Sequence, residues 1–125
     1  MSIPIKDILS NTSAERGIIS IILKDVGALT ECTANNLFAD HFAIKTNQVL
    51  YSVLAYLAEQ GTKNFDSNII YSTIQDPTAL EELNNFGGRE YIDTLIQSTV
   101  IMDNLPIYIK QVKEASLKRF VHKLG

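Results

Sequence analysis

The sequence predicts an all-α fold. Apolar residues recur at helical spacing in several segments, and capping residues or glycines flank these segments. No Asn-Gly or Asp-Gly hairpin turn occurs, and no stretch alternates apolar and polar residues as a half-buried strand does. A chain of 125 residues that is 46% hydrophobic has the size and composition of one domain with its own core.

The first helix is expected to begin after a short arm. Residues 1–12 form this arm, since Pro4 and the "SNTS" run favour turns. Thr12 or Ser13 is the expected N-cap of a helix over "SAERGIISIILKD", and Glu15 lies in its first turn, where the helix dipole favours an anion. One domain over 13–125 therefore follows the arm.

The middle of the chain predicts four more helical segments. A short one lies around 34–38, and "TNQVLYSVLAYLAEQG" is the clearest, with Thr46 or Asn47 as its N-cap and Gly61 past its end. "FDSNIIYSTIQDP" follows, capped by Asp66 or Ser67, and then a short helix begins at Thr78.

Gly87 and Gly88 stand between two helical patterns in "LEELNNFGGREYIDTL". Neither a G-x-G-x-x-G fingerprint nor a G-x-x-x-x-G-K-[ST] loop occurs, and a helix rather than a strand precedes the pair. We therefore interpret Gly87 as a helix C-cap and Gly88 as a turn, and not as a phosphate-binding loop.

The last helix, with Asn104 as N-cap and Pro106 in its first turn, has two apolar sectors. The first fits burial in the monomer core and comprises Leu105, Tyr108, Ile109, Val112, Ala115 and Ser116. The second lies about a quarter-turn round and comprises Leu117, Phe120, Val121 and Leu124. One neighbour cannot cover both sectors, so the second predicts contact with another surface, such as a second copy of the chain.

The net charge of −3 conceals an uneven distribution. Residues 104–125 carry five basic side chains against one acidic, a net of +4, whereas residues 1–103 carry 6 basic and 13 acidic side chains, a net of −7. An acidic chain with one basic helix does not indicate general nucleic-acid binding. Phosphate contact by that helix stays an alternative, although Lys110, Lys113, Lys118 and Arg119 do not lie on one line.

No constellation of an active site is present. Cys32 has no sequence context for an activating base, and His41 and His122 have no metal-ligand spacing. We therefore predict no catalytic residue, no metal and no cofactor in this chain. The N-terminus lacks a signal peptide, and "GIISIIL" is too short to span a membrane, which predicts a cytoplasmic protein without a membrane partner.

The order of these features resembles the N-terminal domain of DnaB-type replicative DNA helicases. The departures below suggest a divergent, phage-encoded member. The similar segments are "SAERGIISIILKD", "LFADHFAIKTNQVLYSVLAYLAEQG", "NFDSNIIYSTI" and "NNFGGREYIDTLIQSTVIMDNLPIYIKQVKEASLKRFV". The family's His-Arg pair before the long helix is Asn47-Gln48 here, and the aromatic residue after Phe42 is Ala43. A glycine of the family's opening helix falls on Ser20 or Ile21, while Gly17 is shifted.

The resemblance implies an assembly and partner-docking domain. It implies a small helical bundle as the body at about 13–86, a hinge at Gly87 and Gly88, and a C-terminal two-helix hairpin at about 88–124. This hairpin would pair subunits into dimers, and three dimers would form a hexameric collar. The collar would bind primase or a helicase loader. The self-association residues expected on this basis are Tyr91, Leu95, Ile109, Val112, Ser116, Leu117, Phe120 and Val121.

The resemblance also implies that ATP hydrolysis, with ATP and Mg²⁺, belongs to a RecA-like domain of the parent helicase that these residues do not contain. DNA binding by this domain is expected to be weak or absent. Two alternatives stay open: the helicase-binding domain of a primase, and a small nucleic-acid-binding regulator that uses the basic last helix.

Overall fold

The computed structural model describes residues 11–124, so residues 1–10 of the predicted arm, and Gly125, lie outside the described residues. Within this range the chain forms seven α-helices and two short 3₁₀ helices and contains no strand, which confirms the all-α prediction. The α-helices are α1 (Thr12–Lys24), α2 (Ala28–Ala34), α3 (Lys45–Glu59), α4 (Ser67–Thr73), α5 (Pro77–Asn85), α6 (Arg89–Gln97) and α7 (Leu105–Leu124). The 3₁₀ helices are Ala39–His41 and Met102–Asn104.

Helix α1 is the centre of the bundle. It contacts α3, α6 and α7, with its most extensive contact on α7. Its isoleucines at 18, 19, 21 and 22 are all buried, so α1 is apolar nearly all round, as a core helix is. The crossing with α7 is close at Gly17, where an added Cβ would stand 2.7 Å from Cε2 of Tyr108. Only a residue without a side chain fits there while Tyr108 keeps its place.

Glu15 ties the start of α1 to the start of α3. Its buried carboxylate accepts the backbone N–H of Ala43 at 2.6 Å and of Ile44 at 3.2 Å. It also accepts the side-chain amide of Asn47 at 3.0 Å. The predicted N-cap at Thr46 or Asn47 is wrong: Ile44 occupies the N-cap position without a side-chain hydrogen bond. Glu15 instead holds the segment that enters α3, by accepting the N–H groups of Ala43 and Ile44, which precede the helix.

Three other boundaries differ from the predictions. Helix α1 is capped by Asn11, whose side chain accepts the N–H of Ala14 at 3.0 Å, and not by Thr12 or Ser13. The short helix expected at 34–38 lies earlier, as α2, and the left-handed backbone of Asn36 (φ 57°) stops it from continuing. Helix α5 begins at Pro77 because Asp76 caps it, one residue before the expected start.

The Gly87–Gly88 pair makes the turn between α5 and α6. Both residues have positive φ, 126° and 64°, and the N–H of Gly88 donates to the carbonyl of Leu83 at 2.8 Å, closing the end of α5. The pair forms a turn, as interpreted from the sequence, but Phe86 and not Gly87 is the C-cap of α5, and Gly88 is the N-cap of α6. A hinge motion stays a prediction. Helices α6 and α7 occupy the segment predicted as a hairpin, but each contacts α1 more extensively than it contacts the other.

Candidate self-association surface

Helix α7 buries one apolar face of its first half, whereas the apolar side chains of its second half are exposed. The first half packs on α1 through Leu105, Ile109, Val112 and Ala115, which are all buried. This is the first apolar sector recognised in the sequence. Packing ends at about residue 116, after which the helix continues for two more turns.

These last two turns carry the second apolar sector, which no other part of the described chain covers. Leu117 is 62% exposed, Phe120 60%, Val121 57% and Leu124 74%. We call these four residues the α7 stripe. Their spacing of three and four residues places them on one side of the helix. Neighbouring exposed apolar side chains of this size are typical of a surface that binds another protein.

A groove of about 680 Å³ lies beside the stripe, between α7 and the segment that joins α2 to α3. Pro106, Ile109, Leu117 and Phe120 line its apolar part, and Asn35 and His41 line its other wall. The groove therefore extends the apolar stripe toward the body of the domain.

Two cations hold α7 in place along the groove. Nζ of Lys113 donates to the carbonyl of Asn35 at 2.7 Å, and a guanidinium nitrogen of Arg119 donates to the carbonyl of His41 at 2.7 Å. Burial, and then the charge of Lys113, lower the pKa of His41 below its usual value. His41 is therefore neutral near pH 7, and its Nδ1 accepts the N–H of Phe38 at 2.9 Å.

Four of the predicted self-association residues do not belong to the exposed surface. Tyr91, Leu95, Ile109 and Val112 are all buried inside the subunit, because α6 and the first half of α7 pack on α1. A role for these four residues in self-association stays a prediction, and their burial does not support it. Ser116 is half-buried at the edge of the groove, and Leu117, Phe120 and Val121 are exposed. These last four remain candidates.

Tyr91 belongs to a hydrogen-bond network inside the subunit. Its hydroxyl donates to Oδ1 of Asn47 at 2.6 Å, and the amide of the same Asn47 donates to Glu15. Burial raises the pKa of Tyr91 to about 12, so the hydroxyl stays protonated. The chain from Glu15 through Asn47 to Tyr91 thus joins α1, α3 and α6.

Phe38 and Phe86 are exposed aromatic residues that were not singled out in the sequence. Phe38 is 58% exposed and stacks on His41 with ring centroids 5.8 Å apart, which places it near the groove. Phe86 is 46% exposed at the end of α5 and makes an edge contact with Tyr91. Both come shortly after an Asn-Asn pair and outside any helical stripe, so periodicity gives no signal for them.

Residues 11–124 contain no group of three or more His, Cys, Asp or Glu side chains placed to hold a metal ion. Over the same range, no helix is long and apolar enough to cross a membrane. Cys32 is buried, and burial raises the pKa of its thiol to about 12. This side chain is a core residue.

Comparison with known proteins gives consistent results. A solved structure, the N-terminal domain of DnaB helicase from Mycobacterium tuberculosis, superposes with a TM-score of 0.76 at 21% identity, covering 91% of this chain and 78% of that one. This likeness shows the fold. A curated relative, the SPbeta prophage-derived uncharacterized protein YorI of Bacillus subtilis (strain 168), is 27% identical over 109 residues, 86% of this chain and 21% of the relative. The chain thus spans about a fifth of that relative's length.

The model of one protein family, the DnaB-like helicase N-terminal domain, matches residues 7–114. That range holds α1 to α6, the glycine turn and the buried half of α7. Because the match covers most of the sequence and the fold agrees with it, the chain belongs to the family of DnaB-like helicase N-terminal domains.

Proposed function

We propose that this domain is an assembly module of a replicative DNA helicase, and that it associates with further copies of itself through the α7 stripe. The observation that supports this is the change along α7 from a buried first half to an exposed apolar second half. Burial of apolar side chains stabilises an interface by about 25 cal/mol per Å² removed from water. The four stripe residues therefore supply a driving force that the described part of the subunit does not use.

The parent protein is proposed to be an ATP-dependent DNA helicase. Its motor, with ATP and Mg²⁺, would belong to a separate RecA-like domain. The family membership supports this over the primase alternative. The prophage relative is in keeping with a phage-encoded helicase, which stays a prediction.

We further propose that the domain docks primase or a helicase loader. The groove beside the stripe and the exposed Phe38 support this, because apolar grooves with aromatic rims are typical protein-binding surfaces. DNA binding stays the weaker alternative, since the described cations Lys113 and Arg119 donate to backbone carbonyls along the groove.

The test is the Phe120→Asp variant, compared with wild type by analytical ultracentrifugation from low to high micromolar concentration. Wild type should associate, and the variant should be a monomer, because a carboxylate placed in an apolar contact loses its hydration without gaining a partner. Circular dichroism should show unchanged helix content, since Phe120 is exposed.

Ile107→Asp is the matched control. Ile107 is 56% exposed on the same helix but lies outside the stripe, so this variant should associate as wild type does. A wild-type domain that stays monomeric at every concentration would refute the proposed assembly role. Equal loss in both variants would show that α7 contributes through its overall charge and not through the stripe.

A further inference from the structure

The start of the described chain lies beside the exposed half of α7. Midway along α1, Gly17 faces Tyr108 in the first turn of α7. Two residues nearer the N-terminus of α1, Glu15 bonds to the backbone of the segment 41–43 at 2.6 Å. Arg119, about three turns further along α7, bonds to the backbone of the same segment at 2.7 Å. Helices α1 and α7 are therefore antiparallel, and the N-terminus of α1 points toward the last turns of α7.

The groove beside the α7 stripe lies at the same place. Ile109, Leu117 and Phe120 belong to its α7 wall, and His41, whose carbonyl accepts Arg119, belongs to its other wall. From residue 109 to the end of the stripe at residue 124, this apolar surface runs for about 22 Å along the helix. The N-terminus of α1 approaches it at His41.

The residues that precede α1 have the composition to cover this surface. We call residues 1–10, "MSIPIKDILS", the N-terminal segment. Four of its ten residues are bulky and aliphatic, namely Ile3, Ile5, Ile8 and Leu9. Burial stabilises such side chains, whereas a polar tail gains little from it. Ten residues reach about 33 Å when extended, which exceeds the length of the groove and the stripe together.

Charge does not oppose a contact between the N-terminal segment and α7. The segment has one basic and one acidic side chain, which balance each other. At the groove, Lys110 lies 3.9 Å from Glu114, and Lys113 bonds to a backbone carbonyl. Arg16, at the start of α1, lies over the ring of Tyr91, 5.9 Å from its centroid, and so faces α6. Apolar burial is therefore the main driving force for this contact.

We propose that the N-terminal segment packs in the groove and on the α7 stripe of its own chain, and thereby competes with a second copy for this surface. The competition rests on the proposed self-association, whereas the contact within the chain does not. A tethered segment has an effective concentration in the millimolar range, so modest apolar contacts keep it bound. The segment thus sets the concentration at which copies associate.

The contact is tested by disulfide formation in the full chain, at a concentration low enough to keep it monomeric. Ile5→Cys is combined with Leu117→Cys, at an exposed position of the stripe. Cys32 is buried and does not compete for the new thiols. Mild oxidation should close a disulfide within the chain, detected by intact mass and by mobility on a non-reducing gel.

Ile5→Cys with Ser52→Cys is the matched control. Ser52 is exposed on α3, whose start also lies beside Glu15, but it does not line the groove. This pair should oxidise at least about tenfold more slowly, because only the bound segment holds its thiol at a high local concentration. Equal rates for the two pairs would show that the segment does not bind α7. Covalent dimers in place of cross-linked monomers would put the segment on a second copy and overturn the contact within the chain.

The competition is tested by the Kd of self-association, measured by analytical ultracentrifugation. Ile5→Asp combined with Ile8→Asp in the full chain should release the segment, since a carboxylate in an apolar contact loses its hydration. If the segment covers the surface about nine-tenths of the time, its release should lower the Kd at least about tenfold. Ser2→Asp combined with Ser10→Asp adds the same charge and keeps every aliphatic side chain, so its Kd should equal that of wild type.

Two outcomes separate this inference from the proposed function. A Kd that is unchanged or raised by Ile5→Asp with Ile8→Asp would refute the competition, while association of the wild type would still support the proposed function. If wild type and both double variants stay monomeric at every concentration, the proposed function fails and the competition fails with it. The disulfide rates then decide the contact within the chain by themselves.

Discussion

Replacing Glu15 with glutamine alters one atom of a buried side chain and tests how α3 is held at its N-terminus. The carboxylate has two oxygens for three donors: Oε2 receives the Ala43 N–H, and Oε1 receives the Ile44 N–H and the Asn47 amide. Glutamine keeps the shape but replaces one oxygen by an NH₂ group. Whichever way it points, that group faces a backbone N–H, so at least one part-buried donor loses its acceptor.

The number of hydrogen bonds lost sets the expected change in the free energy of unfolding. A hydrogen bond to a charged group contributes about 1.5–3 kcal/mol, and a buried donor left without a partner costs about 1–3 kcal/mol. We expect Glu15→Gln to lower the free energy of unfolding by about 2 kcal/mol. Glu15→Ala, which removes both oxygens and leaves a cavity, should lower it by about 4 kcal/mol. For a domain of this size the glutamine variant should then melt about 6–8 °C lower.

The assay is urea unfolding followed by circular dichroism, with thermal unfolding as a second measurement. Glu59→Gln is the control, since Glu59 is an exposed carboxylate at the other end of α3, and it should change stability by less than about 0.5 kcal/mol. If Glu15→Gln costs no more than Glu59→Gln, the carboxylate does not hold the start of α3, and the account of that helix given above is wrong.

Three further measurements test other parts of the structure. Burial raises the pKa of the Cys32 thiol to about 12, so this thiol should not react with a thiol reagent at pH 8 in the native domain. In urea it should react fully. Labelling of the native domain at the rate of the unfolded chain would contradict its burial. His41 has a folded-state pKa below 6.5, so the unfolded chain binds its proton more readily than the folded chain does. The free energy of unfolding, relative to a His41→Asn variant, should therefore be constant above pH 6.5 and fall as the pH drops from 6.5 to the folded-state pKa. A rise on acidification would contradict this sign. Gly88→Ala should cost about 1–3 kcal/mol because φ of 64° with ψ of −140° suits glycine alone, and an unchanged urea midpoint would refute that strain.

The sequence was most informative where a pattern is local. The two apolar sectors of α7 could be separated by spacing alone, and the structure buries the first and exposes the second. Asp66 as the cap of α4, and the glycine turn after α5, also depend on neighbours within a few residues.

Contacts between distant segments could not be predicted in the same way. Glu15 had the pattern of a first-turn carboxylate that favours its own helix dipole, while its partners at Ala43 and Ile44 lie 28 and 29 residues further on. The spacing of Tyr91 and Leu95 predicts that both side chains are buried, and they are. Spacing does not say whether they are buried by the same subunit or by another one.

The central position of α1 has a consequence for how the protein is made. Of the helices described, α1 is synthesised first, but its largest contact is with α7, the last of them in the chain. Until α7 emerges, the isoleucines of α1 lack the helix that covers them, so the domain cannot complete its folding stepwise from the N-terminus. Nascent chains truncated before residue 105 should therefore remain bound by chaperones, and release should coincide with the appearance of the last helix.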